Sequence, residues 1–216
     1  MSFTLVDIFS YAVAIAALIG LARLFKIDRA YWPFILLLWV ALLNEALGTF
    51  FIRVFHSNAV NSNIYVLLES LLLLWFFERV GLFQRKRRFF YFFLAAFTVG
   101  WVVENLIIFT ITEFHSYFRV FYSFVIVLMS IDMINRLFSV EKKKLIKHPL
   151  FLILVGFIAY FTYKALVEIF WIYGLNAGRE FRIEVYRIMV YVNLAVNLLY
   201  AIAVLWIPRK REYILQ

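Results

Sequence analysis

Five acids, Glu45, Glu69, Glu104, Asp132 and Glu168, and one base, Lys164, stand inside otherwise apolar stretches of the chain. A charge at the centre of a bilayer costs roughly 2.5–3.5 kcal/mol on insertion scales, so such side chains turn towards other helices or a water-filled cavity. Carboxylates that converge from several helices can hold a cation, share protons or do acid–base chemistry. Here a single Lys faces five acids. The excess negative charge calls for bound protons, a bound cation or a base drawn from elsewhere.

Carboxamides accompany the acids. Asn44 precedes Glu45 in the run LWVALLNEALGTFF, and Asn105, Asn135, Asn193 and Asn197 lie in similar surroundings. Helical spacing groups these residues. Tyr160, Lys164 and Glu168 are successive i, i+4 positions on one face, and Trp101 shares a face with Asn105 in the same way. In the last apolar stretch Asn193, Asn197 and Tyr200 form one stripe, while Glu184, Arg187 and Tyr191 form another on the opposite side. The alternative reading for the carboxamides and tyrosines is ordinary bonding between helices, worth about 0.6 kcal/mol each.

The elements that would position these groups are membrane spans. Hydrophobic residues make up 66% of the 216 and charged residues 16%, against roughly 45–50% and 25% in soluble domains. A span needs about 20 mostly apolar residues. Seven stretches satisfy this, at about 5–25, 31–55, 63–83, 89–111, 117–139, 149–173 and 181–207. The expected fold is one all-α domain, residues 1–216, a bundle of seven transmembrane helices. The first seven residues, MSFTLVD, contain no Lys or Arg, so the first stretch reads as a retained helix, not a cleaved signal. Pro33 and Pro149 fall in first helical turns and Pro208 follows the last span, so no proline kink is expected within a span. Ala12, Ala16 and Gly20 recur every fourth residue, a stripe of small residues that admits a close neighbour.

Sixteen of the 22 Lys and Arg residues fall after spans one, three, five and seven, and five on the opposite side. Basic loops stay cytoplasmic, which predicts an outside N-terminus and a cytoplasmic C-terminus in a cell membrane, with anionic headgroups against the basic loops. No nucleic-acid partner is expected from the net charge of +9.

With that orientation Glu45 lies near the midplane, and Glu69, Glu104, Asn105, Lys164, Glu168 and Tyr191 lie in the extracellular half. The expectation is a ligand or ion pocket in that half: Asn44 and Glu45 as floor, Glu69, Glu104 and Asn105 as walls, Lys164 and Glu168 closing it, and Tyr191 beside it. Asp132, Asn135, Asn193, Asn197 and Tyr200 form a secondary polar cluster. There is no Cys, and His56, His115 and His148 fall in loops or at span ends, so neither a thiolate nor a paired-His metal site is expected. Retinal is not expected either. Microbial rhodopsins hold it through a Lys in the last span, and span seven has none.

Three functions fit these features. The first is a sensor or partner-coupling module with an acid-rich pocket, relaying to a separate effector because the loops are too short to house one. The second is a proton- or cation-coupled transporter or channel. The third is an intramembrane enzyme acting on lipid.

Overall fold

The computed structural model describes residue 9 and residues 11–140, 145–173 and 178–208. Lys142, Lys143, Lys144, Arg209, Lys210 and Arg211, which count towards the charge asymmetry, lie outside the described residues. The described chain is helical, without strands. The helices are α1 (Val13–Arg23), α2 (Trp32–Phe55), α3 (Ala59–Arg79), α4 (Arg87–Val102), α5 (Tyr117–Val140), α6 (Pro149–Ile172) and α7 (Arg179–Trp206). Six apolar helical segments are long enough to cross a bilayer, and α1 is a shorter apolar helix. This is an integral membrane protein.

The proline placement is realised: Pro33 and Pro149 occupy the first turns of α2 and α6, where a missing N–H breaks no helical bond. The α3 boundary differs from expectation. The helix starts at Ala59, four residues before the apolar stretch, and takes in the polar run Asn61, Ser62 and Asn63. It stops before Gly81, whose φ of +95° suits a residue without Cβ.

Span four is not uniform. After Val102 the helix widens into a π-helical turn, Val103–Ile108, in which the Phe109 N–H donates to the Glu104 carbonyl five residues back. The lack of a proline did not mean a regular helix here. A π turn shifts the side chains beyond it around the axis, and Glu104 and Asn105 stand within it.

Sequence neighbours pack as spatial neighbours, and α7 returns to α1, so α1, α2, α3, α5, α6 and α7 form a closed ring with α4 against α3 and α5. Gly20 of the small-residue stripe packs against α2. Ala16 is fully buried, and a Cβ on Gly20 would meet the Ile35 side chain at 3.0 Å. Arg23 at the end of α1 donates to the carbonyls of Val204, Leu205 and Ile207, including one at 3.0 Å. One cation thus satisfies carbonyls that the end of α7 leaves unpaired.

Inside the ring, Phe34 of α2, Phe76 of α3, Phe157 of α6 and Tyr200 of α7 make an aromatic layer with centroids 5.2–6.0 Å apart. These residues sit towards the end of the bundle that carries the 80–86 connection, called here the basic end. Large apolar side chains such as Leu18, Leu43, Phe50, Phe92, Phe124 and Leu205 are exposed around the outside, as lipid contact allows.

Candidate polar site

Above the aromatic layer, away from the basic end, lies an ion pair that links α3 to α6. The Lys164 ammonium donates to Glu69 Oε2 at 2.7 Å and to the Tyr122 hydroxyl at 2.6 Å. Tyr122 in turn donates to Glu69 Oε2. Tyr65, one turn before Glu69 on α3, donates to Oε1 at 2.9 Å. The ammonium also stands 5.2 to 5.5 Å from the ring centres of Tyr122, Tyr160 and Phe161, within the range of cation–π attraction. Glu69 is 3% exposed and Lys164 7%. A charge pair this deep persists because hydrogen bonds fill the lone pairs the ion pair leaves over.

A second layer lies nearer the end opposite the basic one. Arg119 of α5 reaches Glu168 of α6 at 3.7 Å and donates to Ser62 Oγ and Asn63 Oδ1 of α3, both at 2.9 Å. Ser116 donates to the other Glu168 oxygen. Asn63 uses its amide on the carbonyls of Ile111 and Glu113, and its own carbonyl accepts from the Trp101 indole at 2.8 Å. This network fastens the 109–116 connection to three helices.

Between the ion pair and the aromatic layer is a cavity of about 60 Å³. Its polar lining is Glu45, Tyr65, Glu69, Tyr160, Asn193, Asn197 and Tyr200, and its apolar lining includes Leu37, Leu38, Phe157 and Phe161. Glu45 is half-buried, and its carboxylate makes no hydrogen bond or ion pair among the described residues. The Tyr200 ring packs against Gly156, where a Cβ would collide with it. That glycine lets α7 bring Tyr200 to the cavity wall.

Several expected site residues are elsewhere. Glu104 does not line the cavity of Glu45 and Glu69. Its two oxygens accept from the backbone N–H groups of Tyr117 and Phe118 at 3.0 and 2.6 Å, so it caps α5, whose first amides have no helical partner. Asn105 donates to the Trp101 carbonyl of its own helix at 3.1 Å. Lys164 and Glu168 do not pair. Each reaches across to another helix, where Glu69 and Arg119 offer opposite charges. Asn44 accepts from Asn61 at 3.0 Å and ties α2 to α3 instead of flooring the pocket. Tyr191 is 49% exposed and does not line the cavity.

The secondary cluster divides. Asn193, Asn197 and Tyr200 line the same cavity as Glu45 and Glu69. Asp132 forms an exposed pair with Arg136 at 2.7 Å on the basic half of α5, and the Asn135 carbonyl accepts from Ser139. Arg119 and Tyr122 were missed altogether. Arg119 lies three residues inside α5, close enough to the end to count as a loop charge. Tyr65 had a signal, its i, i+4 spacing to Glu69. Nothing in the spacing of Tyr122 marks it as the third member of an ion pair between two other helices.

Comparison with protein-family models, with curated proteins and with solved structures gives no match.

Proposed function

We propose that this chain is a membrane sensor or partner-coupling module, with its polar cavity in the extracellular half of the bundle. In this reading the N-terminus is outside, the C-terminus is cytoplasmic, and the protein resides in the plasma (inner) membrane. The basic end contacts anionic headgroups and a separate effector protein. One observation carries the reading: the cavity presents an acid, Glu45, that is unpaired among the described residues, beside an ion pair that is already neutral. A pocket with one uncompensated charge changes its electrostatics most when something binds. The aromatic layer of Phe34, Phe76, Phe157 and Tyr200 stands between this cavity and the basic end, which favours sensing over passage of an ion.

Sensing requires that a change at the cavity alter the far end, since coupling is a free energy shared between sites. Glu45→Gln removes the uncompensated charge and keeps the side-chain size, so it imitates compensation by a ligand. Hydrogen exchange of the protein in nanodiscs should then change by roughly fivefold or more at the 80–86 connection and at the end of α7. Changes confined to α2 and the cavity walls would sink the sensing reading.

A further inference from the structure

We propose that the cavity takes a small primary ammonium group, bound through Glu45, Asn197 and Tyr200. This rests on the reading of the cavity as a ligand pocket and names the class of ligand.

The first argument is a census of acceptors. Asn197 donates through Nδ2 to both the Asn193 carbonyl and Asn193 Oδ1, at 2.9 Å each. The Asn193 carbonyl can only accept, so the nitrogen of Asn197 must face it, and Asn197 Oδ1 is left without a partner among the described residues. Tyr200 also makes no hydrogen bond through its hydroxyl among them. Both line the cavity, and they are 5% and 7% exposed. Glu45 adds an unpaired carboxylate. Lys164, Tyr122 and Tyr65 all serve Glu69, while the Tyr160 and Tyr200 hydroxyls, which can each give one O–H and accept through oxygen, face the cavity with no hydrogen-bond partner among the described residues. These oxygens open onto the cavity, so a donor placed there gains their hydrogen bonds. Here they surround an open space, and a ligand with several N–H groups would satisfy them together.

Charge gives the second argument. Lys164 offsets Glu69, Arg119 faces Glu168, and Glu104 sits on the amides that begin α5. Glu45 leaves one negative charge at the cavity. One positive charge balances it, whereas a divalent ion would overshoot. Among the described residues no group of three His, Cys, Asp or Glu side chains is placed to hold a metal.

The walls then choose among monovalent cations. An alkali ion must be wrapped in oxygens, but Phe157, Phe161, Leu37 and Leu38 present carbon. An alkylammonium suits both kinds of lining, with N–H groups towards the oxygens, cation–π attraction to the rings and its alkyl part against the aliphatic side chains. The fold already recognises one such group. The Lys164 ammonium is held by one carboxylate, one tyrosine hydroxyl and the nearby Tyr160 and Phe161 rings. Those same two residues line the cavity. Its volume of about 60 Å³ has room for roughly four water-sized groups, which fits methylammonium or ethylammonium.

The test is calorimetric titration of the whole protein in nanodiscs with methylammonium chloride, and with sodium, potassium and tetramethylammonium chlorides at matched ionic strength. Saturable binding of methylammonium alone is expected, weakened roughly tenfold or more by Glu45→Gln. Gly156→Ala should also abolish it, because the added methyl drives the Tyr200 ring off its seat without altering charge. Asp132→Asn, on the exposed face of α5, should leave it unchanged. Thermal unfolding of each variant separates lost binding from lost folding. The proposal is overturned if folded protein shows no saturable methylammonium binding, if sodium, potassium or tetramethylammonium binds as tightly, or if Glu45→Gln binds as well as the parent. Failure here with the hydrogen-exchange response of Glu45→Gln intact would refute the ligand class alone. Binding without that response would refute sensing alone.

Discussion

At the scale of single residues, the molecule solves its excess of acid one carboxylate at a time. Glu69 receives a Lys and two tyrosines, Glu168 an Arg and a Ser, and Glu104 two backbone amides. The first of these depends on a buried Lys at the centre of the bundle, and a double-mutant cycle can expose it. Lys164→Met strands the Glu69 charge and should destabilise the protein by about 3–5 kcal/mol. Lys164→Met combined with Glu69→Gln should cost less than the single change, since no charge is left buried without a partner. Unfolding midpoints in detergent measure both, and strictly additive losses would show that the two residues do not act as a pair. The sequence made part of this legible. That Lys164 must meet an acid follows from the cost of an unpaired charge in lipid, but five acids share the apolar stretches, and the i, i+4 spacing on its own helix points to Glu168. The choice of Glu69 depends on how α3, α5 and α6 turn about their axes. Spacing within one helix carries no information about that.

At the scale of elements, six of the seven expected spans are helices long and apolar enough to cross a bilayer, and the first is the shorter apolar helix α1; they were legible because length and hydropathy are properties of one segment at a time. The π turn was not, since no Pro or Gly announces it, and with it went the role of Glu104. From that turn Glu104 reaches forward across the 109–116 connection and closes the first turn of α5. Its function is therefore expected to be that of a cap. Glu104→Ala should cost about 1–2 kcal/mol in thermal or denaturant unfolding, the range for loss of a favourable N-terminal cap together with its charge on the helix dipole. Glu104→Gln keeps one acceptor and should cost less. Both variants should keep methylammonium binding within about twofold, because the Glu104 carboxyl is committed to Tyr117 and Phe118 and does not line the cavity. Loss of binding in a well-folded Glu104→Gln protein would return this acid to the pocket.

At the scale of the whole molecule, the two ends differ in chemistry. One end has the 80–86 connection with Arg85 and Lys86 exposed beside Arg136. The other has the 109–116 connection, whose exposed residues include Thr110 and Thr112, and the layer below it has its cation, Arg119, turned inward to Glu168. A bilayer whose cytoplasmic face retains basic loops should orient the bundle with the 80–86 connection inside. That orientation in turn opens the polar half, with Glu45, Glu69 and Lys164, towards the exterior. The chain contains no Cys, so single-cysteine variants carry no background. In intact cells a membrane-impermeant maleimide should label Thr112→Cys and leave Gln84→Cys untouched until the membrane is opened. The reverse pattern would place the cavity in the cytoplasmic half. A sensor of external amines would then be untenable even if the ammonium site itself bound as proposed, because its ligand would have to come from inside the cell.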